Sequence, residues 1–113
     1  MAQVELERSQ WDKYTASLSE RLRKEKVRIS LGGLDVERHV EADDVVLRGI
    51  TYDRRADAIE IETDHLSHRI EHPQRVIVVE SDAGFERMEI VDADGCRQVL
   101  QLERALALPG RAG

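Results

Sequence analysis

Cysteine is nearly absent. The 113-residue chain holds one, Cys96, so no intrachain disulfide can form and the fold must rest on its core. Aromatic side chains are almost as scarce: Trp11, Tyr14, Tyr52 and Phe85 complete the set. Single-stranded nucleic acid is commonly gripped by stacked aromatics beside a basic groove. This chain has few rings and a net charge of -6. Lysine stops at residue 26, and the composition shifts there: residues 1–26 carry six basic and five acidic side chains, whereas the remainder carries 11 and 18. An acidic body repels phosphate backbones and anionic lipid, so neither nucleic acid nor membrane is an expected partner. No apolar run approaches the roughly 20 residues of a membrane helix. The opening MAQVELERSQ lacks the apolar stretch of a secretory leader. A cytoplasmic, bacterial protein of one domain, 1–113, is the expectation.

What is present divides at residue 26, where the apolar period changes. Trp11, Tyr14, Leu18 and Leu22 recur at helical spacing, and Ser9 with Asp12 three residues on reads as a capping pair. Arg21, Arg23, Lys24 and Lys26 crowd the far end, where cations suit the helix dipole. The pattern predicts an amphipathic helix over 10–25. Its stripe is expected to pack on the domain's own sheet, with Trp11, Tyr14 and Leu18 as the face a partner would use if it did not.

From residue 26 to 104 the period is two. Val27, Ile29 and Leu31 alternate with polar residues, Gly32-Gly33 signals a hairpin, and Leu34, Val36 and Val40 continue the far arm. VVLRGITY (45–52), the Ile59/Ile61 segment, RVIVVE (75–80), 85–92 and 97–104 read as further strands. DRRAD, SDAG and Asp94-Gly95 read as the turns among them. Asp43-Asp44 reads as a solvated turn. Pro109 and the glycine-rich end make a short tail, 105–113. The predicted fold class is α+β: an N-terminal amphipathic helix followed by an antiparallel, strongly curved β-meander of about seven strands, with closure into a small barrel as the alternative.

One short stretch carries a chemical signature. HRIEH, His68 to His72, matches H-x-x-E-H, a zinc-peptidase pattern. That chemistry needs a helix, on which positions i and i+4 are neighbours. On a strand the two histidines stand about 13 Å apart and cannot share an ion. Pro73 disfavours helix for His72, and period two places Leu66, His68, Ile70 and His72 on one side. The segment is therefore expected to be a strand with His68 partly buried and hydrogen-bonded, and with His65 and His72 near its ends. His65, His68 and His72 are the ligand-type residues on offer, but no metal, cofactor or catalytic residue is expected. DADG (92–95) echoes a calcium loop, yet the register puts Ile90 and Gln101 where acidic ligands belong. The chain is expected not to be an enzyme but a small interaction or scaffold domain working through protein contacts, as a homodimer or with another protein. The alternative is a small-ligand or metal-binding module built on His68 and nearby carboxylates.

Three segments carry a resemblance: LRGITYDRRADAIEIE, LSHRIEHPQRVIVVE and MEIVDADGCRQVLQL. In them Gly49-Ile50-x-Tyr52-Asp53, Asp57-x-Ile59-x-Ile61, Leu66-x-His68-x-Ile70-x-x-Pro73 and Asp94-Gly95-x-x-Gln98 resemble a family of small bacterial proteins known as domain of unknown function 5335. Trp11 and the helix after it are similar too. The resemblance covers nearly the whole chain. It implies a family and no activity, cofactor or site residue.

Overall fold

The computed structural model describes residues 2–33 and 36–103. A strand that the periodicity did not predict comes first: β1, Ala2–Leu6. A single 3-10 turn, Arg8–Gln10, leads into α1, Trp11–Leu22. The predicted capping pair is replaced. Gln10 accepts the Glu7 backbone N–H through its side chain at 2.9 Å, while the Gln10 N–H bonds the Glu7 carbonyl at 2.8 Å. The tight turn starts one residue before Ser9, which is why Ser9 loses the cap. Asp12 instead turns outward to Arg54 at 3.0 Å. The helix stops at Leu22 because Lys24, two residues on, adopts the left-handed conformation (φ 76°).

Seven strands follow: β2 (Lys26–Gly33), β3 (Val36–Asp53), β4 (Ala58–Thr63), β5 (Ser67–Glu71), β6 (Pro73–Ser81), β7 (Gly84–Asp92) and β8 (Arg97–Leu102). All pairings are antiparallel, and the order across the sheet is β1-β6-β7-β8-β2-β3-β4-β5. Two meanders, β2–β5 and β6–β8, are thus joined edge to edge through β2 and β8, and β1 adds a rim beside β6. The expected break at Asp43-Asp44 is no turn. β3 runs on as one 18-residue strand, with the extra residue absorbed in a bulge where Val27 pairs Val45 and Ile29 pairs Ala42. Asp44 takes φ 57° there, a conformation that aspartate tolerates better than most residues. Gly32 and Gly33 lie inside β2, with Gly33 opposite Val36; Leu34, in the connection, falls outside the described residues. So do Arg104, placed in the last predicted strand, and the predicted tail 105–113.

The turn from β5 to β6 consists of His72 alone, in the left-handed region at φ 52°. Those two strands do not pair, so one residue joins the outermost strand on one side to the second strand from the other. The sheet can accommodate that only by rolling over on itself. The His68 ring on β5 accordingly reaches the Gln98 side chain on β8, although three strands separate them in the sheet order. Among the described residues the roll does not close into a barrel: β1 and β5 are the two outer strands.

A single core fills the roll. Trp11, Leu18 and Leu22 of α1 meet Leu47 and Ile50 of β3, Ile59 and Ile61 of β4, Ile70 of β5, and Met88, Ile90, Leu100 and Leu102 beyond. The helix lies over β3 and is pinned there by Ser19, whose hydroxyl donates to the Ile50 carbonyl at 2.6 Å and accepts its N–H at 2.7 Å. Within RVIVVE Arg75 is exposed, while the apolar run Val76 to Val79 is buried on both faces, as suits a strand paired on both sides. Its outer face sits level with Glu89 and Val99. There Glu89 holds Arg87 and Arg97, each at 2.9 Å. Among the described residues no helix is long and apolar enough to cross a membrane.

Candidate functional site

Among the described residues an extended polar arrangement is built around Arg8. The 3-10 turn carries its guanidinium over the indole of Trp11, 4.5 Å from the ring centroid. Nη1 donates to the Tyr52 hydroxyl at 3.2 Å and to Asp57 Oδ1 at 2.9 Å, while Nη2 donates to the Pro73 carbonyl at 3.0 Å. Tyr52, at the end of β3, packs in a T-shaped arrangement with Trp11, 5.2 Å between ring centroids, and donates its hydroxyl hydrogen to Asp57 Oδ1 at 2.9 Å. Asp57 closes the β3–β4 turn with φ 51°. Its carbonyl accepts the His72 N–H at 2.8 Å, and His72 Nδ1 lies 3.5 Å from its Oδ2. One carboxylate therefore ties the N-terminal turn, the β3–β4 hairpin and the β5–β6 corner together.

The electrostatics follow from these contacts. The Tyr52 hydroxyl bond, aided by Arg8 and His72 against a desolvation penalty, holds the Asp57 carboxyl below the ordinary carboxylate range. Burial pushes the Tyr52 phenol up, and Asp57 beside it adds to that. A phenol shifted upward keeps its proton, which it donates to Asp57, and Arg8 already spends donors on three partners. The arrangement can orient and bind; it presents no activated nucleophile. Beside it opens a recess of about 370 Å³ lined by Arg8, Ser9, Tyr52 and Arg54. Thr51, Asp53, Arg55 and Glu60 line an adjoining one with Tyr52 and Arg54.

The predicted site residues scatter. His68 lies on β5, half-buried, bonded through Nε2 to Gln98 Oε1. Gln98 in turn donates to Asp92 Oδ2 at 3.1 Å, and Asp92 Oδ1 accepts the Asp94 and Cys96 N–H groups at 3.0 Å each. His65 precedes the strand and stands 3.8 Å from Asp64. His72 is not on the strand's inner face as period two placed it; its positive φ turns it to Asp57. The three histidines thus have three different partners, and among the described residues no group of three or more His, Cys, Asp or Glu side chains could hold a metal. Of the proposed face, Trp11 and Leu18 lie inside the chain's own core, 2% and 0% exposed. Tyr14 is half-buried, 3.5 Å from Glu80 through its hydroxyl and under the Arg21 guanidinium. Sequence reasoning missed Arg8 altogether and placed Asp57 in the DRRAD turn without a partner. The only signal for either was Tyr52 five residues before Asp57 across a predicted turn.

The residues that carry the family resemblance converge here. Trp11, Tyr52, Asp57 and Pro73 meet around Arg8, and His68 meets Gln98. A family model described as "Family of unknown function (DUF5335)" matches residues 2–111. The chain belongs to this family. A relative of similar length, an uncharacterized protein of Aquifex aeolicus (strain VF5), is 32% identical over 110 residues, covering 96% of this chain and 99% of the relative. No solved structure matches. For the DUF5335 fold, then, the Arg8 corner reads first as a tie between segments distant in sequence, and the free surfaces around it as the places where function is to be sought.

Proposed function

We propose that this DUF5335 chain is a small, non-catalytic, cytoplasmic interaction domain that works through protein contacts, a second copy of itself included. The observation that carries the reading is the pair of sheet edges. Among the described residues β1 and β5 each have a neighbour on one side only, and the unpaired side of an edge strand presents backbone groups that another strand can complete. β5 is short and carries exposed Ser67, Arg69 and Glu71, with Arg69 bridging Glu60 at 2.6 Å and Glu71 at 3.3 Å. Such an edge discourages indiscriminate stacking while accepting a partner of matched charge. The test is site-specific photo-cross-linking in bacterial cells from Ser67, with the exposed helix residue Lys13 as control. Adducts of discrete mass from Ser67 alone support the reading. Adducts equally abundant from Lys13, or none from Ser67, overturn it.

A second reading, a ligand or metal module on His68, draws on one observation: Gln98 links that histidine to the Asp92 carboxylate. The same bonds weigh against it, because Gln98 occupies Nε2 and the Asp92 oxygens hold the β7–β8 turn. Zinc content of the purified protein is expected to stay at background, unchanged by His68→Ala and His72→Ala. One equivalent of zinc, lost in both variants, would replace the first reading with the second.

A further inference from the structure

Cations on this acidic chain are mostly spent. Arginine after arginine faces a carboxylate, from Arg8 with Asp57 to Arg97 with Glu89. Among the cations whose side chains are described, Arg23, Lys24 and Arg48 have no carboxylate within ion-pair distance, and all three line one surface recess of about 420 Å³. Lys13 and Arg55 also lack an ion pair, but they stand elsewhere, at the recesses beside Tyr14 and Glu60. Asp64 shares the rim; its carboxylate accepts the Val46 N–H at 2.9 Å and stands 3.8 Å from His65, so the recess keeps a surplus of two positive charges.

The backbone under these cations is fixed. Lys24 N–H donates to the Leu47 carbonyl at 3.0 Å, Leu47 N–H to the Glu25 carbonyl at 2.9 Å, and Glu25 N–H to the Leu22 carbonyl at 2.9 Å. The turn after α1 is thereby stitched to β3, which sets Arg23 and Lys24 against Arg48. Lys24 occupies the left-handed position after the helix at φ 76°, where glycine is the usual and unstrained residue. Cations near a helix C-terminus complement its dipole, which accounts for Arg23 and Lys24 singly. It does not account for Arg48, which arrives from another element.

We infer that the recess formed by Arg23, Lys24 and Arg48 is a docking surface for an acidic, carboxylate-bearing segment of a partner protein. The inference rests on the interaction reading above and names a surface and a partner chemistry for it. A compact phosphate is disfavoured, since the nearby N–H groups of Lys24, Leu47 and Val46 are already used and the helix end facing the recess is its carbonyl end. A nucleic acid is disfavoured because the acidic remainder of the chain repels an extended polyanion. A short run of carboxylates spaced along a peptide suits three cations spread around a rim.

The test uses the full chain, labelled with ¹⁵N, and an acetylated and amidated hexaglutamate peptide as probe, at low and high salt. Shift changes are expected to concentrate at residues 23–25 and 46–48 and to vanish at high salt. Lys24→Gly should keep or raise the melting temperature while weakening binding, and with Arg48→Gln added the affinity should fall about tenfold. Shift changes spread over Lys13 and Arg55, or variants that bind as tightly as the parent, would overturn the inference. So would inorganic phosphate binding at the same residues as tightly as the peptide. If the peptide fails while the Ser67 cross-links persist, the docking surface falls and the interaction reading stands.

Discussion

Asp57 does more than its place in a turn suggests. Its Oδ1 accepts from both Arg8 and Tyr52, and its backbone carbonyl holds His72. Because its carboxyl is held below the usual range, its ionised form stabilises the fold. That contribution is fully present above the unfolded-state value of about 3.9 and is lost as pH falls through the lower, folded one. Asp57→Asn should therefore lower stability at neutral pH and flatten the acid limb of a urea-denaturation series run downward from about pH 4. A limb as steep as that of the parent would mean the tie contributes nothing. Ser19 is the other residue whose role only the structure exposes. Its hydroxyl both gives and takes a bond at Ile50, and Ser19→Ala is expected to cost about 1–3 kcal/mol by leaving a part-buried backbone group without its partner. Chemical denaturation of the variant reads this directly.

At the scale of elements, α1 shows how a modest helix becomes indispensable. Twelve residues are marginal alone. Trp11, Thr15, Leu18 and Leu22 are buried at helical spacing, and β3 supplies the surface they cover. Leu18→Ala should cost about 2–5 kcal/mol, since a leucine with no exposed surface leaves a cavity. A shift of the denaturation midpoint corresponding to much less would mean the helix face collapses onto the gap. β3 makes the complementary point: by bulging at Asp43-Asp44 rather than ending, it pairs β2 with one half and β4 with the other, and so keeps β4 and β5 in the same sheet as β2.

At the scale of the molecule, residues before β2 close the structure from two sides. β1 flanks β6, and α1 fills the roll. Deleting residues 1–25 removes both, exposing the β6 edge together with the core side of β3. The truncated chain is expected to aggregate or lose cooperative unfolding, as read by size-exclusion chromatography and circular dichroism. A monomeric, cooperatively folding truncation would free Trp11 and Leu18 from their assigned place in the core.

Local pattern was enough for much of this architecture. The stripe Trp11-Leu18-Leu22, the alternation from Val27 onward, the continuous run Val76–Val79 and the Asp94-Gly95 turn depend on interactions within a few residues, and periodicity records those. Pro73 beside His72 likewise marked HRIEH as extended, and the structure has it as strand β5 ending in a left-handed corner. What tertiary structure alone decided is whatever depends on distant partners. β1 is a strand because β6 pairs with it; its five residues, AQVEL, have no pattern strong enough to say so. Asp43-Asp44 is a bulge and not a turn because β2 holds the strand on both sides of it. Arg8 meets Asp57 across 49 positions because the sheet rolls, and Arg48 lines the same recess as Lys24 because the turn after α1 is stitched to β3. A charged side chain in sequence carries no record of whether its partner lies beside it, across the fold or on another molecule; only the packed chain divides its cations into those already paired and those still free to bind.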